Sequence, residues 1–320
     1  MRRLLGHPRT GFVVLGLGVL WLAFVPLLRW YVVPRVELTP IAVNTTTVSS
    51  GPGTYFDSTT LTTKGPVTMT ATSHVISDSA EGEETGYAVW NISTTVDTPE
   101  TLRRHDPRAS LGWTLQRWVG DRRTDLPVHC CGESPVFTGN VYLKFPFGVT
   151  KGSYDYWNSA AGKAFPIHFT GIETIEGHQF YRFDGTVPPT RIGTRQIPGR
   201  LLGEPNVPGL VTAQQYYSDA DTEILVDPMS GIPVGGTQHP LTTFRLPGST
   251  TDRLTVLSAT FTTQPASERA LLAQIDSTDR QLRLIQDVLP VNALRLGGTQ
   301  LLLGVALLVR TARRARKDPS

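Results

Sequence analysis

Two apolar runs, one near each end of the chain, constrain what can fold between them. The first, 11–28 (GFVVLGLGVLWLAFVPLL), carries no charge, follows Arg2, Arg3 and Arg9, and leads into Arg29, Trp30 and Tyr31. Such a run suits a membrane span, and Trp and Tyr stand where an interfacial aromatic belt belongs. A cleaved signal peptide is the competing reading, but WYVVPRVELTP after the run offers no small-x-small cleavage site. The second run, 296–309, is uncharged over 14 residues and ends in Arg310, Arg313, Arg314, Arg316 and Lys317. A bilayer asks for about 20 residues, so this span is expected to begin near 290 and take in Arg295, which can snorkel.

Ahead of the second span lies an amphipathic helical arm. Leu271, Ile275, Thr278, Leu282, Ile285 and Leu289 fall at spacings of 4, 3, 4, 3 and 4, the seam of a helix. Pro265 and Ser267 mark its start, since Ser accepts from the first unpaired amides.

Basic residues at both ends place both termini in the cytoplasm by the positive-inside rule. The expected division is a basic tail at 1–10, a span at 11–31, an exported β domain at 32–264, the arm at 265–289, a second span at 290–309 and a basic tail at 310–320. The chain carries 30 basic and 27 acidic residues, a formal net charge of +3. The tails hold eight of the basic residues and one acid, Asp318, which leaves the rest at about −4. That balance excludes a basic surface for nucleic acid. The implied location is the plasma membrane, with the main domain outside it.

The middle is dense in Thr, Ser, Gly and Pro and alternates over short runs: 67–77, 87–96, 167–175, 179–183, 222–226, 232–234 and 254–261. Glu81-Gly82, Glu176-Gly177, Asp184-Gly185 and the stretch 227–231 punctuate them as turns. The predicted fold is mainly β: an antiparallel barrel-like or sandwich domain, with the helical arm and two spans. The segment 100–119 reads equally as helix or strand, and 191–211, rich in Pro and Gly, is expected to be a long loop. The strands are too short and too rich in Thr for a lipid-facing outer-membrane barrel.

Two stretches carry a resemblance: 139–184, with Lys144-Phe145-Pro146-Phe147 and Tyr154-x-Tyr156-Trp157, and 222–234, with the Val226-Asp227-Pro228 turn. Together with the two spans they resemble the PorA-like family of actinobacterial membrane proteins. The resemblance implies an exported, elongated β-barrel-like domain with internal cavities and a helix leading to the second span, and some members are linked to lipoglycan maturation. The layout is also similar to class B scavenger receptors, by analogy alone.

Tyr142, Phe145, Phe147, Tyr154, Tyr156, Trp157 and Phe169 form the densest aromatic region. Such rings line a cavity for acyl chains or stack on sugars, with Lys144 or Lys151 near a phosphate; equally, they fill a β core. Cys130 and Cys131 are adjacent and are the only cysteines, either a vicinal disulfide acting as a redox pair or two inert thiols. His129 alone stands near them, too few ligands for a metal site. The seven histidines show no HExxH spacing, and no nucleophile elbow, phosphate loop or dinucleotide fingerprint occurs. The expectation is therefore a non-enzyme without cofactor or metal. Its β domain would present a lipid or glycolipid to membrane enzymes, or serve as a structural partner of such enzymes. A hydrolase or transferase is the third reading.

Overall fold

The computed structural model describes residues 8–315; Arg2, Arg3, Arg316 and Lys317 of the basic tails lie outside them. The chain forms two compact units, Met1–Leu38 with Asp276–Ser320, and Thr39–Ile275.

In the helical unit, α1 (Pro8–Leu27) continues through a π-helical turn, Leu28–Val32, and one more turn, Val33–Val36. Helix α4 (Leu289–Ala315) pairs with it. The helices Arg9–Val36 and Pro265–Arg314 are long and apolar enough to cross a membrane. Glycine sets their separation. A Cβ on Gly18 would stand 3.0 Å from the Gly297 carbonyl oxygen, and one on Gly297 equally 3.0 Å from that of Gly18. In lipid, where apolar burial drives little helix association, such close backbone approach is what holds two helices together.

A third long helix, α3 (Pro265–Arg283), runs to a second π-helical turn, Leu284–Val288. Its buried apolar positions are Leu272, Ile275 and Leu282; Leu271 is half-buried and Leu289 is exposed. The expected seam is thus shifted at its start and broken at its end. The π turn widens the helix by one residue per turn and rotates Leu289 out of line.

The β unit is an antiparallel sheet of 12 strands, as the alternation predicts. They are β1 (Asn44–Asp57), β2 (Thr62–Ser77), β3 (Ala88–Asp97), β4 (Gly112–Gly120), β5 (Ser153–Asn158) and β6 (Lys163–Ile175), then β7 (His178–Pro198), β8 (Leu210–Val226), β9 (Pro233–Gln238), β10 (Pro240–Arg245), β11 (Leu254–Ala259) and β12 (Phe261–Thr263). The short helix α2 (Ser79–Thr85) is capped by Asp78. Strands β9 and β10 are one strand interrupted at His239, and β11 and β12 one strand interrupted at Thr260. The register shows this by running through both breaks, with Gln238 opposite Phe261 and Leu241 opposite Ser258. The order is β4-β3-β2-β1-β11-β10-β8-β7-β6-β5; with β9 and β10 counted as one strand and β11 and β12 as another, neighbours are sequential throughout except where β1 meets β11.

No ladder joins the end strands β4 and β5 among the described residues, so the pairing is that of an open sheet. The connector 121–152 touches both edges instead: Ser134 bridges Arg117 of β4, and Val141 bridges Tyr156 of β5. The expected loop at 191–211 is shorter than predicted, because β7 runs to Pro198 and β8 starts at Leu210, which leaves 199–209 as the connection. Within β7 the breakers Pro188, Pro189 and Gly193 are tolerated because they lie where the β7–β8 register slips. The ambiguous 100–119 resolves into one helical turn, Pro99–Leu102, and β4.

Candidate functional site

The two stretches that carry the family resemblance meet in space. The Phe145 amide donates to the Gly231 carbonyl at 2.8 Å, Gly148 to Met229 at 3.1 Å and Val149 to Pro228 at 2.8 Å. Asp227 holds the turn by accepting from the amides of Met229 and Ser230 and from the Ser230 hydroxyl through one oxygen. Gly231 has φ +74°, and a Cβ there would collide with the Phe145 carbonyl, so a side chain is excluded on both counts.

Over this junction the aromatic residues divide into two packed groups. Phe145, Tyr154, Tyr156 and Phe169 belong to one core with Val141, Ile167, Phe183 and Val226. Phe145 is fully buried, 5.1 Å from Tyr154 edge-on and 5.2 Å from Phe183. Tyr142 and Trp157 belong to a second core with Trp90, Trp118 and Phe137, in which Trp157 lies 4.9 Å from Phe137. The Tyr142 hydroxyl donates to Gln116 of β4 at 2.8 Å and lies 2.7 Å from Ser159; burial pushes it up to about 12. Burial likewise raises Tyr156. Beside Tyr156, Asn158, Phe165 and Thr222 the cavity measures about 10 Å³. That is space for about one water, far below an acyl chain.

Lys144 does not reach a phosphate site. Its Nζ pairs with Asp125 at 2.7 Å, donates to the Phe145 carbonyl at 2.8 Å and sits 3.8 Å over the half-buried Phe147 ring. Asp125 also accepts from the Thr39 hydroxyl at 2.5 Å, and burial raises its carboxyl against the pull of the Lys144 ammonium. An ion pair this deep leaves no free cation. Lys151 is exposed, with Nζ 5.5 Å from the Phe169 ring and 5.2 Å from that of Tyr181.

Cys130 and Cys131 are joined as a vicinal disulfide in the connector. The Cys131 carbonyl accepts from Arg117 Nε at 2.8 Å. The same guanidinium reaches Asn91 at 3.1 Å and Asp78 at 2.9 Å, and lowers the Asp78 carboxyl. A second arginine, Arg182, stands between Glu173, Asp184 and Glu223 at 2.9–3.1 Å. Sequence reasoning missed Asp125, Arg117 and Arg182 as organising residues. Only Arg182 left a signal, since Asp184 lies two residues on and so on the same strand face.

The porin PorA family model matches residues 10–306, which takes in the helical unit and the β unit together. The chain belongs to the PorA porin family. A porin PorA of Corynebacterium amycolatum is 26% identical over 311 residues, covering 75% of this chain and 77% of that relative. A second porin PorA, from Corynebacterium resistens, is 31% identical over 121 residues, 32% of this chain and 29% of the relative. With two helices fit to cross a bilayer, this PorA-family chain is a membrane protein of the cell envelope.

Proposed function

We propose that the chain is an assembly protein of the envelope. Both termini would lie in the cytoplasm, the two helices would anchor it, and the exported β unit would dock other membrane-bound envelope proteins without a catalytic step. The observation that carries this reading is the filled aromatic junction. The residues best suited to line an acyl chamber, Phe145, Tyr154, Tyr156 and Phe169, pack into one core, and the cavity beside Tyr156 measures only about 10 Å³. A rigid, filled sheet domain on two anchors presents surface, not volume. One specific observation favours a glycolipid bound on the outside. Lys151 is exposed beside the rings of Phe169 and Tyr181, a pairing that suits a sugar face next to a phosphate.

The test is native electrophoresis and native mass spectrometry of the full chain extracted mildly from its own membranes. A discrete hetero-complex is the expected result. A bare chain that retains lipid through delipidating washes would replace docking with carriage. Stepwise conductance in planar bilayers would replace it with the pore activity that the relatives' name implies.

A further inference from the structure

The two edges of the sheet are finished differently. At β5 the connector lies along the strand: Asn140 and Val141 donate to the Asp155 carbonyl, and Trp157 donates to Val141. At β4 it covers only the second half. Arg117 and Ser134 exchange both backbone bonds, at 2.7 and 2.9 Å, and Val128 donates to Val119 at 2.9 Å. These bonds fix which way β4 faces. In an antiparallel ladder, alternate residues direct both N–H and C=O to the same side. Since Arg117 and Val119 point away from β3, so do Leu115 and Trp113. Among the described residues nothing pairs with those outward groups.

This uncovered half of β4 is also apolar. Trp113 is 48% exposed and Leu115 65%, and Thr114 on the opposite face is exposed as well. Proteins usually blunt an open edge with lysine, proline, a bulge or a covering segment. Positions 112–116 have none of these. An edge left unblunted, with apolar side chains alternating along it, is the receptor side of β-strand addition.

Charge chooses the occupant. The segment 98–123, which contains β4, holds six arginines (Arg103, Arg104, Arg108, Arg117, Arg122, Arg123) against three acids (Glu100, Asp106, Asp121). The β unit as a whole holds 17 basic and 22 acidic residues, so the basic excess is local. Arg103, Arg104 and Arg108 are exposed before the strand and Arg123 after it. An antiparallel second copy would set arginines against arginines at both ends.

We infer that the β4 edge, 112–116, accepts an extended acidic segment of a partner protein as an additional antiparallel strand. Backbone bonds to Trp113 and Leu115 would supply the pairing, and the flanking arginines the choice of partner. The inference rests on the docking role proposed above and locates it.

The experiment uses the full chain in nanodiscs. The probe is a nine-residue peptide alternating Val and Thr with Glu and Asp; its counterpart carries Lys at the acidic positions. The acidic peptide is expected to bind at least tenfold more tightly, to lose affinity with salt, and to slow hydrogen exchange at the Trp113 and Leu115 amides. Leu115→Pro removes one outward donor and leaves the β3 ladder intact, so binding should fall at least tenfold. The double variant Trp113→Glu, Leu115→Glu gives the same loss by placing on the edge charges like those of the peptide, and covers the case in which the proline variant does not fold. Equal binding of the two peptides, or unchanged binding by the folded variants, overturns the inference. A Thr114→Cys chain that oxidises to a specific homodimer in membranes overturns the choice of occupant. If the wild-type chain forms no native complex, the docking role fails. If that complex survives in both edge variants, only the edge assignment fails.

Discussion

In the helical unit the two long helices meet through residues with almost no side chain, Gly18 against Gly297. In the β unit the core is filled by the largest ones: Trp157 on Phe137, and Phe145 on Tyr154 and Phe183. The difference follows from the solvent each unit is built for. Within lipid, burying a large apolar group gains little, so helices associate by bringing backbones together. In water the gain scales with the apolar area removed, so the sheet closes over aromatic rings. One fixed polar pair, Lys144–Asp125, sits at the margin of those rings.

That contrast breaks first at the ion pair. Asp125→Ala leaves the Lys144 ammonium buried without its counter-charge, which costs about 3–5 kcal/mol. Urea unfolding of the full chain, followed by tryptophan fluorescence, should show the loss. The double change Lys144→Met, Asp125→Leu should recover most of it, because removing both charges also removes their desolvation. Failure of the double variant to recover would mean that the pair, and not burial alone, specifies the connector.

A smaller effect is expected at the motif junction. Gly231→Ala forces a side chain into left-handed backbone, at about 1–2 kcal/mol, and onto the Phe145 carbonyl as well. The sum should be about 2–3 kcal/mol, read in the same urea titration. In the helical unit the counterpart is Gly18→Leu with Gly297→Leu. Helix pairing there should weaken by about 1–2 kcal/mol, the scale of membrane helix contacts. Spin labels on α1 and α4 should move apart while the urea midpoint of the β unit stays fixed. A shifted midpoint would show that the two units share stability.

Legibility in the sequence followed the range of the interaction. The apolar helices and most strands were readable because their signals repeat within a few residues, as in 11–28 or Val67-x-Met69-x-Ala71. The resemblance also picked out residues that meet, Phe145 and Gly231, although nothing in their spacing says so. What escaped was set by distant partners. Lys144 looked available for a ligand because its carboxylate lies 19 positions away and Thr39 a further 86 from that. Strand β1 escaped because Gly, Pro and polar residues dilute its alternation, and β5 because its alternation spans only six residues. The pairing of β1 with β11 has no local trace. The aromatic cluster was visible, but not whether it was lined or filled, since the same rings serve either state until their neighbours are known.

The smallest expected effect separates two carboxylates of the β unit by the sign of their pH dependence. Arg117 lowers Asp78, so its contribution to stability is present above the ordinary aspartate range and is lost as pH falls through the lowered value. Burial raises Asp219, whose Oδ1 accepts the His239 amide at 3.0 Å while Oδ2 has no hydrogen-bond partner. The folded state therefore holds the Asp219 proton more tightly than the unfolded chain does. That contribution is complete below the ordinary aspartate range and is lost as pH rises through the raised value. Asp219→Asn keeps an acceptor for His239 and cannot ionise, so its stability should not decline over the window above pH ~4 where the wild type does. Arg117→Gln should flatten the acid side instead and leave that window unchanged. Parallel urea midpoints for Asp219→Asn and the wild type across pH 4–7 would show that Asp219 ionises freely where it lies. The unpartnered Oδ2 would then have to be satisfied by a bound water, and not by a retained proton.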